Sequence, residues 1–321
     1  MRNNSQKQND ELKEEKMLIL ITGGAGFIGS HLASELLKKG YSVRIIDNLY
    51  TGKRENVPKN AEFIFGDIRK TNDLKDLLKD VECIFHHAAH VSVPESVRNP
   101  ILDFDINVNG TFLLLEDARK HEVEKFIFAS SAAIYGTTGE KIPETFEKNP
   151  KNPYGLNKLI AEKYCQHYYT LYGLKTNILR YFNVYGPKKR GNAVDVFIRN
   201  ALAQTPLKIN GDGTQFRDFV HVSDVVGATI SCFLSDPFGK VYNVGTGIAT
   251  KVIDLAKKII QTTRTSSKIL FGSPRPGDIT GITADIKKIQ RELSFVPQYS
   301  IEKGLLETLN FYNEKSASTL S

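Results

Sequence analysis

Tyr154 and Lys158 stand four residues apart in Tyr154-Gly155-Leu156-Asn157-Lys158. On a helix that spacing puts both on one face. An ammonium beside a phenol stabilises the phenolate and draws the tyrosine pKa down from about 10. The expectation is a tyrosine that releases its proton near neutrality and serves as general base on a hydroxyl. Upstream, Gly23-Gly24-Ala25-Gly26-Phe27-Ile28-Gly29 carries the glycines of a turn that receives a dinucleotide. Removing a hydroxyl proton while a nicotinamide takes the carbon-bound hydride is alcohol oxidation. Either motif alone is weak, since a surface lysine near a half-buried tyrosine gives the same spacing by chance. Together and in this order they carry more weight.

Other positions fit the same chemistry. Gly23, Gly26 and Gly29 are spaced G-x-x-G-x-x-G, which leaves room for a pyrophosphate against backbone and a helix N-terminus. Asp47 follows about twenty residues on, where a carboxylate accepts from the adenosine ribose and repels a 2′-phosphate, favouring NAD over NADP. Arg44 and Lys53 are near in sequence but do not replace it, and the plainer alternative for Asp47 is a strand-end turn. Ser130 and Ser131 close a strand at the sheet edge where ligands bind, so a hydroxyl there could meet the oxygen that Tyr154 attacks; a small-residue turn is the alternative. His86, His87 and His90 look like metal ligands at first sight. Strand alternation separates Cys83 from the neighbouring histidine, and no metal is expected.

These residues need a scaffold. Met17 to Thr22 is an apolar run that reads as a buried strand, followed by helical spacing through Leu37 and a stop at Gly40. Tyr41 to Ile46 is the next strand, which completes a βαβ unit ending at Asp47. Further strands are expected at Glu62–Asp67, Val81–Phe85, Lys125–Ser130 and Leu174–Leu179. Helices are expected near Leu74–Leu78, at Asn109–His121 and from Tyr154 to a stop at Gly173. Alternation of this kind implies a parallel sheet covered on both faces. The fold class is α/β: a Rossmann-type doubly wound parallel sheet with a smaller C-terminal substrate-binding lobe. The expected division is a polar tail over 1–16, a nucleotide-binding unit over 17–183 to which 219–245 returns, and a lobe from 184–218 and 246–321.

Composition narrows the class. The chain has 321 residues, 40% hydrophobic and 25% charged, ordinary values for a soluble globular protein. No apolar run is long enough to span a bilayer, and the first sixteen residues lack a signal-peptide core. Cys83, Cys165 and Cys232 show no metal or redox spacing, which fits a reducing, cytoplasmic setting. A net charge of +7 permits nucleic acid, but the basic residues are dispersed. Lys188-Lys189-Arg190 is the one tight run; it reads as solvated surface or as a receiver for an anionic small molecule.

The chain resembles the extended short-chain dehydrogenases/reductases acting on nucleotide sugars, most closely the UDP-glucose (UDP-galactose) 4-epimerase branch. The resemblance rests on TGGAGFIG at 22–29, Asp47-Asn48-Leu49, Gly66-Asp67-Ile68, His87-Ala88-Ala89, Asn107 in NVNGT and the Ser130–Gly136 segment. It extends through Pro153-Tyr154-Gly155-Leu156-Asn157-Lys158, Arg180-Tyr181-Phe182-Asn183, GDGTQFRDFVHVSDV at 211–225 and Arg275-Pro276-Gly277-Asp278. It implies NAD as cofactor, with Gly23, Gly26, Phe27, Ile28, Asp47, Asn48, Asp67 and Ile68 along its adenosine and pyrophosphate. Ala88, Ala89, Asn107 and Lys158 would hold the inner ribose and nicotinamide. Ser131 and Tyr154 would face the substrate. Asn183, Arg217 and Arg275 would grip a UDP diphosphate and uridine, and arginine suits that task. The implied reaction is reversible oxidation at C4 of a hexose, rotation of the keto sugar, and return of hydride to the other face.

Related chemistries remain to be weighed. Dehydratases of this fold carry an acidic pair after the catalytic Ser/Thr and decarboxylases a glutamate; here Ala132 and Ala133 stand there. UDP-glucuronate epimerases, reductases and a non-catalytic NAD- or RNA-binding protein are further alternatives, the last expected to lack the Tyr/Lys pair. In the family a position just ahead of an Ala-Asp pair gates size at the sugar's C2 substituent. Counting places it at Ile282, between the tyrosine that excludes N-acetyl groups and the small residues that admit them. UDP-glucose/UDP-galactose is favoured, with UDP-GlcNAc/UDP-GalNAc as alternative. The resemblance also implies a homodimer through the helices at Asn109–His121 and Tyr154–Tyr172, although Leu113, Leu114 and Leu115 could equally pack on the sheet.

Overall fold

The computed structural model of the chain describes residues 16–74, 76–136, 139–274 and 280–318. Arg275-Pro276-Gly277-Asp278 and nearly all of the polar N-terminal stretch lie outside the described residues. In chain order the strands are β1 Leu18–Thr22, β2 Ser42–Asp47, β3 Glu62–Phe65, β4 Val81–His86, β5 Lys125–Ser131, β6 Gly139–Ile142, β7 Lys175–Tyr181 and β8 Asn183–Tyr185. They continue as β9 Leu207–Asn210, β10 Phe216–Arg217, β11 Phe219–His221, β12 Lys240–Val244, β13 Thr250–Lys251, β14 Ile269–Gly272 and β15 Gly281–Ala284.

Seven strands form one sheet in the order β12-β7-β5-β4-β1-β2-β3, with every pairing parallel. The order reverses between β1 and β4, which opens a crevice at the strands' C-terminal ends. Strands buried on both faces read as continuous apolar runs, and Ile19, Leu20 and Ile21 of β1 are fully buried. β12 lies at the edge of this sheet, alongside β7.

Helices α1 Phe27–Lys38, α2 Thr71–Leu74, α3 Val93–Arg98, α4 Pro100–Phe104, α5 Gly110–Lys120 and α6 Pro153–Tyr172 belong to the first half. α7 Ala193–Leu202, α8 Val222–Leu234, α9 Val252–Thr263, α10 Lys287–Leu293 and α11 Ile301–Ser318 follow. α1 and α8 cover one face of the sheet, and their Leu32, Leu36, Val225 and Phe233 share a core with Ile19 and Phe85. α5 and α6 cover the other, where Leu114, Leu115, Ala161 and Cys165 pack on Phe126, Phe128 and Ile178. Leu114 and Leu115 thus serve the sheet; each fully buried leucine contributes about 1.5–3 kcal/mol of transfer free energy. Phe112, Tyr164 and Tyr172 remain exposed on the outer face of the same two helices.

α6 begins where Asn152 accepts from the Gly155 N–H and Pro153 presets the first turn, and it ends at Gly173 with φ of 74°. The helix expected near Leu74–Leu78 stops at Leu74, because Asp76 and Asp80 take left-handed φ values of 61° and 62°. A four-stranded sheet, β13-β10-β15-β6, and two two-stranded sheets carry much of the remainder. α7, α9 and α11 enclose a separate apolar cluster with β9, including Phe197, Ile209, Leu255 and Leu305.

Candidate active site

The crevice beyond the β1/β4 switch point opens into a cavity of about 870 Å³. Its walls include Gly23, Gly26, Phe27, Ile28, Asp47, Asn48, Asp67, Ile68, Ala88 and Ala89 on the sheet side. Ser131, Tyr154 and Lys158 line its middle, and Asn183 and Arg217 its far side. Residues far apart in sequence therefore meet around one space large enough for a dinucleotide and a second ligand.

The glycine turn is shaped by close approach. Gly23 has φ of 69°, and a Cβ there would sit 2.7 Å from the Ala88 nitrogen. Gly26 precedes α1 with no side chain over the helix start, and the first turn of α1 has no acidic residue. The backbone N–H groups there can receive phosphate oxygens. Asp47 is buried at the end of β2 and accepts from the Ala25 N–H at 3.0 Å and the Leu49 N–H at 2.8 Å. Burial raises its pKa and those two donors oppose the rise. The pocket thus has a phosphate-receiving turn, an acid beyond it and a long apolar-polar trough, which fit NAD. Arg44 points elsewhere: its guanidinium pairs with Glu62 at 2.8 Å and donates to the carbonyls of Leu77 and Lys79. Asp67 accepts from Asn48 at 3.0 Å and pairs with Arg69 at 2.7 Å, which holds its carboxyl far below the usual range.

Tyr154 and Lys158 do share one face of α6, but they are not a simple pair. Lys158 Nζ donates to the carbonyl of Ala129 at 2.9 Å and lies 4.8 Å from the Phe128 ring centroid. Burial lowers its pKa to about 8. Tyr154 is 9% exposed, and burial pushes its phenol up to about 12, opposed by a hydrogen bond with Ser131 and reinforced by Asp103. The expectation that Lys158 alone brings the phenol near neutrality is therefore corrected: desolvation outweighs it in the protein by itself. Ser131, at the end of β5, also accepts from the Ala133 N–H at 3.2 Å, which fixes its side chain at the mouth of the turn 132–134.

Two expected positions lie away from the wall. Asn107 is 1% exposed behind it: its amide donates to the His90 carbonyl at 2.9 Å and its oxygen accepts from the His90 N–H at 3.1 Å. It shapes the turn after Ala89 from behind. Ile282 is buried in a cluster with Phe182, Tyr135 and Ala284, and Phe182 is the member that reaches the cavity. Arg275 lies outside the described residues. The three histidines have separate partners. His86 bridges Thr22 and Thr111, His87 meets Tyr181 at 3.2 Å, and His90 pairs with Asp103 at 2.7 Å. Burial lowers His87 to about 4, so its imidazole is neutral at pH 7.

Asp103 is a supporting residue that spacing rules do not reveal. Fully buried, it accepts from His90, from Asn107 at 3.1 Å and from Asn157 at 2.7 Å, and Asn157 lies between Tyr154 and Lys158 on α6. Ser96 is another, accepting the Tyr154 N–H at 3.2 Å. Asp103's only sequence signal is one carboxylate amid Ile101, Leu102 and Phe104.

A parallel sheet with a glycine turn after β1, an acid at the end of β2 and a Tyr/Lys helix beside a strand-end serine make up a Rossmann-type, dinucleotide-binding fold. The chain belongs to the NAD dependent epimerase/dehydratase family, whose model matches residues 19–245. It is 36% identical over 317 residues to a UDP-glucose 4-epimerase of Mycolicibacterium smegmatis, covering 94% of this chain and all of that one. It is 35% identical over 318 residues to a UDP-N-acetyl-alpha-D-glucosaminuronate decarboxylase of Bacillus cytotoxicus, covering 93% and 98% of the two chains. The crystal structure of Thermotoga maritima UDP-glucose 4-epimerase with UDP-glucose superposes with a TM-score of 0.91 at 36% identity, covering 94% of this chain and all of that one.

Proposed function

We propose that the protein is a UDP-hexose 4-epimerase, with UDP-glucose and UDP-galactose as the favoured pair. The observation that carries this reading is the placement of Ser131, Tyr154 and Lys158 on one cavity wall, with Ala132 and Ala133 beside them. Neither residue after Ser131 carries an acid for elimination, which favours epimerisation over dehydration.

Gly23, Gly26, Phe27, Ile28, Asp47 and Asn48 would hold NAD, which would supply a reversible hydride acceptor at the sugar's C4. Tyr154 takes the 4-OH proton and later returns it. Ser131 shares a hydrogen bond with that phenol and orients the sugar oxygen. The positive charge of the oxidised cofactor and of Lys158 lowers the cost of the phenolate, which burial otherwise raises. Lys158 keeps its place by donating to Ala129. Asn183 and Arg217, together with Arg275, hold the UDP moiety. The enzyme works as a homodimer through the outer faces of α5 and α6, where Phe112, Tyr164 and Tyr172 are exposed. Three buried, unpaired cysteines suit the cytoplasm.

Incubation with UDP-galactose and, separately, UDP-GalNAc, without added cofactor, tests this. UDP-glucose as product supports it, and the rate ratio defines the C2 preference. A 4-keto-6-deoxy product, or no turnover of either, overturns it.

A further inference from the structure

The polarity of α4 is inverted. Ile101 and Phe104 are 82% and 49% exposed, while Asp103 between them is fully buried. An aliphatic side chain at 103 would pack α4 against α6 without the cost of desolvating a carboxylate. A buried acid on so short a helix is the feature that asks for a function.

The carboxylate joins two parts of the site. Its Oδ1 accepts from His90 Nδ1 at 2.7 Å and from the Asn107 amide at 3.1 Å. Its Oδ2 accepts from the Asn157 amide at 2.7 Å. His90 closes the segment after β4 that carries Ala88 and Ala89, two residues of the cavity wall. Asn157, also buried, stands on α6 three residues after Tyr154 and one before Lys158. Hydrogen bonds to an ionised acceptor are short and strong, and a dry interior strengthens them further. One side chain thus fixes α6 against the sheet-side wall without lining the cavity itself.

Its charge reaches the same pair. Burial raises the Tyr154 phenol, Ser131 from β5 opposes the rise, and Asp103 from α4 adds to it. Burial lowers the Lys158 ammonium, and Cys165, Asp103 and Glu162 oppose the fall. From the end of β4, His86 and His87 also feel Lys158. Asp103 is therefore the carboxylate that bears on both members of the pair.

We propose that Asp103 is a positioning residue for Tyr154 and Lys158, clamping α6 to the loop after β4 so that the pair keeps a fixed place relative to the cofactor wall. The proposal rests on the UDP-hexose 4-epimerase reading and adds to it a residue remote from the reacting atoms.

Two variants of the full-length holoenzyme separate position from charge. Asn157→Ala cuts the tie to α6 and leaves the carboxylate. Asp103→Asn removes the charge and turns an N–H toward groups that themselves donate. With UDP-galactose, kcat falls at least about ten-fold and up to about 100-fold in both, as expected when a reacting group is displaced by about 1 Å. KM changes by less than about two-fold, and the NAD content of the preparations is unchanged. The rising limb of the kcat profile moves to lower pH by about one unit in Asp103→Asn, because the charge that disfavours the phenolate is gone, and stays in place in Asn157→Ala.

Wild-type kcat in both variants overturns the proposal, whatever their Tm. So does a raised KM at unchanged kcat, which would give the effect to substrate binding. Loss of kcat only in step with loss of folded protein, with both limbs in place, reduces Asp103 to packing and overturns it as well. If Asp103→Asn yields no folded protein, the kcat and KM of Asn157→Ala decide alone. A wild type that converts neither UDP-galactose nor UDP-GalNAc sinks the epimerase reading and this role with it, whereas an active wild type with equally active variants sinks the clamp alone.

Discussion

Lys158 Nζ donates to the carbonyl oxygen of Ala129 at 2.9 Å. That bond ties α6 to β5 one turn beyond Tyr154 and two residues before Ser131, so the lysine aligns two residues of the cavity wall. It also means that the lysine acts on the phenol through the local field and through position. Burial raises Tyr154 to about 12 and lowers Lys158 to about 8. The protein by itself thus holds a neutral phenol at pH 7.

Tyr154→Phe should reduce epimerisation by about 10²–10⁴-fold, the usual worth of a positioned general base, and leave NAD bound. Steady-state rates and the NAD content of the same preparation check this together. Loss of NAD along with activity would make the tyrosine a cofactor anchor.

The pH profile should be set by the tyrosine. Its raised pKa keeps the base protonated at low pH, so turnover rises with pH toward the value the cofactor-bound phenol attains. Ser131→Ala removes the hydrogen bond that opposes this rise, and it should move the rising limb to higher pH by about one unit or less. An unchanged limb in the kcat profile would remove Ser131 from the proton step.

Lys158→Met should abolish activity yet raise the Tm near pH 7. The wild-type lysine has a folded pKa of about 8, below its unfolded value, so burying its charge costs stability fully below pH 8. A depression of this size corresponds to about 3 kcal/mol, offset in part by the bond to Ala129. As pH rises from 8 through 10.5 the unfolded lysine also loses its proton and the difference between the two proteins shrinks. Thermal unfolding of both proteins between pH 7 and 10 measures it. A constant difference would locate the effect in packing.

Glu162 and Arg180 form a buried pair at 2.7 Å, with Ser130 and Tyr135 as further partners. Both side chains are nearly sealed from water, so Glu162→Gln or Arg180→Met leaves an uncompensated charge and should cost about 3–5 kcal/mol. Urea unfolding of the single variants and of Glu162→Gln/Arg180→Met resolves this, and the double variant should be the less damaged. Additive losses would mean that the two residues do not couple.

Ile282→Tyr should narrow the sugar range to unacetylated hexoses. Ile282 shares a buried cluster with Phe182, which reaches the cavity, so the larger side chain should push that ring inward and cost about 1–3 kcal/mol of stability. The ratio of UDP-GalNAc to UDP-galactose turnover reads it out. A lower Tm with an unchanged ratio would detach Ile282 from specificity.

The sheet was legible because its strands are continuous apolar runs, and α6 because Pro153 and Gly173 mark both ends. The glycine turn and the Tyr/Lys spacing brought the cavity wall with them, since each sits at a fixed place in a βαβ pattern. What sequence did not reveal depends on contacts between distant segments. Asp103 meets Asn157 and His90 only after α4 folds against α6. Asn107 fits the family motif, yet its amide is taken up by the His90 backbone, which no spacing rule reports. The pKa of Tyr154 is likewise a matter of burial, and a four-residue spacing says nothing about how much water remains.

The most direct test of the epimerase reading is the fate of the C4 hydrogen. UDP-galactose deuterated at C4 is incubated with the purified protein without added cofactor, and the product is analysed by mass spectrometry and NMR. The reading requires UDP-glucose that keeps the deuterium at C4, because the same hydride leaves and returns within one bound cycle. Loss of the label, or a product that has lost its C6 oxygen, would contradict it.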